Sequence, residues 1–307
     1  MSDDWKDSFH DRTEIARTGE VIGGDLVHEA LAAEPEPLPE DRRQPHLGYA
    51  LSLALMAVVF TPLVLGIILG CGIATGALPK DAMRHLLDFP RITVFANLAG
   101  TAVTLLAGWA IFQAMWKRPF WSVVQLNPAA LEGRAGKLML TGLAMSLSAS
   151  AIEHLLTLPK EMPIETFFHA RGVLWMLTFY GVIIAPLFEE TLFRGMLLPA
   201  LAMAFDWFRR TPIEPEDLWK HGLSRRAVAL SAVLTSIGFA SLHANQLGNA
   251  WNAVAVLVCV GLGLAWVRLK YDSLAASILV HAAYNGSLFL GMFIATGGYR
   301  HLDNLTK

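Results

Sequence analysis

Three short patterns in the second half of the chain carry side chains able to activate water: Glu189-Glu190-x-x-x-Arg194, Phe239-x-x-x-His243 and His281-x-x-x-Asn285. The first lies between two apolar runs, the second closes one, and the third lies inside one. A charge at the centre of a bilayer costs roughly 2.5–3.5 kcal/mol on insertion scales, so such residues persist where they face a cavity and have partners. Glu190 and Arg194 are four residues apart, on one helical face, where they form an ion pair. Glu189 is rotated by about 100° and points elsewhere. This divides the labour: Arg194 holds Glu190 ionised, and Glu189 is available as a general base. Phe239 and His243 share a face, as do His281 and Asn285. A carboxylate that takes a proton from water, a histidine that holds that water, and a second histidine with an asparagine to donate to an oxyanion are the parts for cleaving an amide. The same Glu and His side chains could instead hold a divalent metal such as zinc, so the residues leave metal-assisted and metal-free activation of water equally open.

The elements that must position these groups read as membrane helices. Of the 307 residues, 54% are hydrophobic and only 16% charged, against roughly 25% charged in a soluble domain. The net charge of -2 argues against a nucleic-acid partner. A spanning helix needs about 20 mostly apolar residues. Such runs lie at 47–79, 92–116, 138–158 (interrupted by Glu153 and His154), 173–188, 195–205, 227–242, 251–267 and 274–299. The expected fold is an all-α, polytopic transmembrane bundle of about seven or eight spanning helices: seven if 173–206 is one long helix, eight if it breaks near Glu189.

Lys and Arg cluster in alternate loops, with Lys117, Arg118, Arg134 and Lys137 in one, Arg209, Arg210, Lys220, Arg225 and Arg226 in another, and Arg268 and Lys270 in a third. By the positive-inside rule this puts the N-terminus in the cytoplasm of a cell (plasma) membrane protein. Lys80, Arg84 and Arg91 in one alternate loop, and Lys160 and Arg171 in the other, are the poorer sets. Residues 1–46 are polar, do not read as a signal peptide, and with EPEPLPEDRRQP from Glu34 to Pro45 are expected to be a disordered cytoplasmic tail, apart from a short helix across 13–33. The expected division is the tail at 1–46, N-terminal spans at 47–170, a catalytic core at 171–299 and a short tail at 300–307. Cys71 and Cys259 read as small buried hydrophobes, Gly66-x-x-x-Gly70 as helix packing, and Tyr271-Asp272 as a solvated turn.

The ordered set E-E-x-x-x-R, F-x-x-x-H and H-x-x-x-N, each in its own helix and extended by Glu189-Glu190-Thr-Leu-Phe-Arg194-Gly195-Met-Leu-Leu, resembles the CPBP family over roughly residues 173–296. These are the type II CAAX prenyl endopeptidases and the bacteriocin-processing or immunity (Abi-like) proteins, described as intramembrane metalloproteases. The resemblance implies Glu189 as general base, His243 as its partner on the water, His281 and Asn285 as the oxyanion or ligand group, and Glu190, Arg194 and Phe239 as support. If a metal is used, it implies Glu189, His243 and His281 as the ligands. The implied substrate is a membrane-anchored peptide or protein, including prenylated Cys-a-a-X proteins, met within the lipid bilayer. No H-E-x-x-H, G-x-S-G or G-x-G-D pattern points to another membrane protease. Two other classes compete: a proton-coupled transporter, which also uses buried Glu and His, and a catalytically silent scaffold or immunity protein. A shared site also requires comparable depth. At 1.5 Å per residue, His243 lies about 24 Å along its helix and His281 only about 10 Å along its own; either the helix ends are misplaced, the preferred cause, or one helix is tilted or starts later.

Overall fold

The computed structural model describes residues 47–156, 167, 172–209, 218, 219 and 223–302. The tail at 1–46, its short helix at 13–33, and Lys160, Arg171, Arg210 and Lys220 lie outside these residues. Helix α1 is Leu47–Ala74, α2 is Pro90–Trp116, α3 is the short Phe120–Val123 and α4 is Ala135–His154. The diglutamate helix follows as α5 (Val173–Phe179), α6 (Ala185–Glu190) and α7 (Leu198–Arg209). Its parts are joined without interruption by π-helical stretches at Tyr180–Ile184 and Thr191–Leu197. Then come α8 (Arg225–Leu242), α9 (Trp251–Tyr271) and α10 (Leu274–Ala295). Leu218–Trp219 and Leu223–Ser224 pair as a two-stranded antiparallel ribbon before α8.

Seven helices among the described residues are long and apolar enough to cross a membrane, and Val173–Asp206 is one of them, 34 residues long. The chain is therefore an all-α, polytopic membrane protein, and of the two counts left open by the sequence the structure has seven. The helix does not break at Glu189; it widens. Each π stretch is followed at its second residue by a proline, Pro186 and Pro199. Proline has no N–H and clashes with the carbonyl four residues back, and local π adjustment is one way a membrane helix accommodates it. Ala185 N–H accordingly bonds to Tyr180 O, and Leu198 N–H to Phe193 O, each five residues back.

Caps and cross-links set where the helices around this one begin. Ser224 caps α8 by accepting from Ala227 N–H at 3.2 Å. It is itself clamped to Asp206 of α7, its N–H donating at 2.7 Å and its hydroxyl at 2.5 Å. Ser273 caps α10 in the same way, at 3.3 Å from Ala276 N. The start of α10 rests on the segment after α3: Leu274 N–H donates to Gln125 O at 3.0 Å and Ser273 Oγ to Asn127 O at 2.6 Å. Arg268, buried, donates to the Gln125 side chain and, at 3.4 Å, to Asp272. The turn at Tyr271-Asp272 is therefore not a freely solvated loop but an ion-paired joint.

These contacts decide between the causes left open for the depth mismatch, against the preferred one. The helix ends at Arg225 and Leu274 fall within two residues of those read from sequence, so the boundaries are not at fault. The two helices start at different depths: α8 starts beside Asp206, whereas Leu274 packs near Gly195. From Gly195 to Asp206 is about 16 Å of helix, which makes up the difference between His243 and His281. Two smaller expectations also change. Cys71 and Cys259 are exposed on the helix surfaces, where lipid rather than protein satisfies an apolar side chain. Gly66 and Gly70 have nothing within 4 Å of an added Cβ; the close approaches are made by Gly100 against Thr61 and Gly108 against Leu53.

Aromatic clusters mark the two ends of the bundle. Tyr49, Phe112, Trp116, Phe120 and Trp121 pack together at one, and Trp175, Phe293 and Tyr299 at the other. Val124, just after the first cluster, lies against Gly195. From Trp175 to Gly195 is about 30 Å of helix, close to the thickness of the hydrocarbon core, and aromatic rings favour its two interfaces.

Candidate active site

The six residues of α6 end on Glu189-Glu190, and the two carboxylates face different neighbours. Glu190 has no exposed surface. Its Oε1 accepts from Arg194 Nη1 and from His281 Nδ1, each at 2.9 Å, and its Oε2 accepts from Ser277 Oγ. Arg194, equally buried, also donates from Nη2 to the Gly261 carbonyl of α9 at 2.9 Å. A buried carboxylate is tolerable only when paired and hydrogen-bonded, and Glu190 has three donors from two helices. Gly261 is glycine because α8 crosses there: an added Cβ would lie 2.9 Å from Ser236 Cβ.

Glu189, whose side chain keeps 18% of its surface exposed, sits between two imidazoles, Oε1 3.8 Å from His243 Nε2 and Oε2 3.7 Å from His281 Nε2. The far nitrogens fix both rings. His243 Nδ1 is 2.9 Å from the Phe239 carbonyl, which can only accept, so Nδ1 carries a proton. His281 Nδ1 faces the ionised Glu190 and carries one too. In the neutral rings both Nε2 lone pairs then point at a carboxylate. Acceptors do not attract one another, so the gap of nearly 4 Å suits something positive or donating: a proton on one ring, a water, or a cation. The charges agree, since Arg194 balances one carboxylate and leaves the other.

That donor set also bears on a metal. Two imidazole nitrogens and a carboxylate are ligands zinc accepts, and an acceptor behind each Nδ1 is the usual outer support of ligating histidines. The chemistry fits, but among the described residues no group of three or more His, Cys, Asp or Glu side chains stands ready to hold an ion.

Phe239, 2% exposed, packs against the guanidinium and both imidazoles. Its ring centroid is 4.7 Å from the Arg194 guanidinium carbon, 4.9 Å from the His243 ring and 5.6 Å from the His281 ring. It thus covers the guanidinium and walls both imidazoles. Asn285 stands apart from this group: its Nδ2 donates to the Gly181 carbonyl at 2.7 Å. Glu153, at the end of α4, is not in the cluster. Ser277 and the Gly261 carbonyl were not singled out from sequence. Ser277 precedes His281 by four residues on one face, and that spacing was the available signal; a backbone carbonyl on another helix leaves none. Cavities of about 530 Å³ between α4 and α9 and about 310 Å³ between α1 and α2 are lined by none of these side chains.

Residues 171–287 match the model of a family described as type II CAAX prenyl endopeptidase Rce1-like. No curated protein and no solved structure matches the chain. The matched segment runs from the start of α5 through most of α10 and contains every residue of the cluster around Glu189 and Glu190. Segment 171–287, which holds all three motifs, is thus similar to the Rce1-like type II CAAX prenyl endopeptidases, as those motifs led one to expect.

Proposed function

We propose that the chain is an intramembrane endopeptidase that hydrolyses a peptide bond of a membrane-anchored substrate, with prenylated Cys-a-a-X proteins as the substrate class and Glu189 as the general base. The family match over residues 171–287 supports a CAAX-type intramembrane protease in general. The observation that carries the finer reading is the Glu189 carboxylate lying between two Nε2 atoms at 3.8 and 3.7 Å. A water there donates one hydrogen to Glu189 and the other to His243, leaving its oxygen lone pair for the scissile carbonyl. Proton transfer to Glu189 accompanies attack. The proton then passes to the leaving amine. His281, held at Nδ1 by the Glu190 carboxylate, donates from Nε2 to the developing oxyanion when the ring enters the reaction as the imidazolium, an arrangement akin to the acid–histidine pairs of hydrolases. Arg194 and Ser277 keep Glu190 ionised and fixed, so that this orientation does not drift. A divalent metal such as zinc would be held by Glu189, His243 and His281 and would supply Lewis-acid polarisation of the carbonyl.

The sidedness belongs to the same proposal. Arg134, Lys137, Arg225, Arg226, Arg268 and Lys270 lie at helix ends that seven spans assign to one side, which supports a cytoplasmic N-terminus in a cell membrane. The test is cleavage by the purified full chain in detergent. Prenylated Cys-a-a-X peptides and a broad set of membrane peptides are supplied to wild type, Glu189→Ala and His243→Ala, with and without chelator. Cleavage by wild type that disappears in Glu189→Ala supports the assignment. Cleavage that survives Glu189→Ala removes it, and substrate-coupled proton movement without cleavage favours a transporter. Chelator sensitivity restored by added zinc identifies the metal route.

A further inference from the structure

We propose that Asn285 is a positioning residue: its amide replaces the backbone donor that Pro186 removes from the diglutamate helix, and it thereby holds the widened turn that aims Glu189. The proposal rests on the reading of Glu189 as general base. In the π stretch Tyr180–Ile184 the bonds run five residues back, Ala185 N–H to Tyr180 O. The next bond of that register would run from residue 186 to Gly181 O. Residue 186 is a buried proline with no N–H to give, so the Gly181 carbonyl loses its donor where no bulk water replaces it. That carbonyl is the one Asn285 Nδ2 reaches, at 2.7 Å.

The neighbouring residues make the reach possible. Gly181 has no side chain, and an added Cβ would lie 2.7 Å from Phe289 Cε2, so α10 lies directly against the wide turn. Asn285 and His281 occupy one face of α10 a single turn apart. One face therefore grips the diglutamate helix twice, at Gly181 and at Glu190. The turn matters because an α-helix advances about 100° per residue. Collapse of the π register to an α register would rotate both carboxylates by about that angle relative to the part of the helix before them, away from the imidazoles. One N–H of the Asn285 amide is thus committed to Gly181, a task separate from the bond to the reacting carbonyl that its resemblance implied.

The experiment is a double-mutant cycle on the full chain in detergent with Asn285→Ala, Pro186→Ala and both, read by thermal midpoint and by cleavage kinetics. Alanine at 186 restores an N–H able to serve Gly181. The expected result is a lower midpoint for Asn285→Ala, with kcat down roughly 10²-fold, the loss typical of a misplaced catalytic group, and KM within about twofold; the double variant then recovers a large part of both losses. Losses that add, or a kcat loss with an unchanged midpoint, overturn the proposal and return Asn285 to the reacting carbonyl. If Asn285→Ala does not fold, folding recovered in the double variant supports the proposal and folding lost in both overturns it. Where wild type cleaves no peptide, the protease reading fails while the midpoints still decide the role of Asn285.

Discussion

The α1–α2 pair and the core from α5 to α10 solve the same packing problem by different means. Between α1 and α2 the contact is steric. Gly100 lets the Thr61 backbone approach until an added Cβ would lie 2.6 Å from Thr61 Cα, and Gly108 makes room for the Leu53 side chain, whose Cδ1 would lie 2.7 Å from an added Cβ. The hydroxyl of Thr104 bonds within its own helix, to Gly100 O at 2.8 Å. Between the diglutamate helix and α8–α10 the contact is ionic, with Glu190, Arg194, His281 and Ser277 linked across helices. Lipid tails are as apolar as leucine, so helices in a bilayer gain nothing simply by burying apolar surface against each other. Close backbone approach is sufficient for association, as the first pair demonstrates. The buried ions of the core exceed what packing requires, and their placement around Glu189 is where chemistry is to be sought.

Four substitutions sharpen or break that contrast. The largest effect is expected from Glu189→Gln, which keeps shape and removes the base: cleavage falls by roughly 10²–10⁴-fold while the thermal midpoint stays near wild type, because Glu189 faces a gap rather than a bond. A midpoint that falls with activity would make Glu189 a structural ion. Next, Arg194→Leu leaves Glu190 buried without its guanidinium and should destabilise the protein by about 3–5 kcal/mol, read as loss of folded material in detergent; a stable variant would show that Ser277 and His281 suffice. Gly100→Ala should cost about 1–3 kcal/mol by overpacking against Thr61 and, in the protein that remains folded, leave kcat unchanged. The same substitution at Gly66, where nothing lies within 4 Å of an added Cβ, should stay within about 0.5 kcal/mol. A difference between those two glycines makes the α1–α2 contact steric; equal effects would dissolve it.

How much of this could be read from the residues varies with the distance over which the information is held. The Glu190–Arg194 pair follows from four-residue spacing and is found at 2.9 Å, with a π stretch beginning between the two residues. Phe239 with His243, and His281 with Asn285, likewise share faces because helical period is local. What Asn285 does with its amide was not readable in this way, because its partner is a carbonyl on another helix. The signal for the widened turns, prolines at 186 and 199 inside apolar runs, was present but does not by itself choose between a break, a kink and a π turn. The break left open near Glu189 came instead from the two carboxylates that interrupt the apolar run. The preference for misplaced ends over a later helix start has another source: two helix starts can be placed correctly in the sequence and still say nothing of their relative height.

By itself the sequence determined that the chain lives in a bilayer, that its helices number seven or eight, which residues can do chemistry, and which of them share a face. All of these follow from composition and from the rise and turn of a single helix. Only the tertiary structure decided that the diglutamate helix is continuous, that α8 starts some 16 Å further along it than α10, and that Glu189 therefore stands between two imidazoles while Glu190 is locked behind them. Those outcomes depend on caps and cross-helix bonds such as Ser224 on Asp206 and Leu274 on Gln125. Such bonds join residues far apart in the chain, and a period of 3.6 carries no record of them.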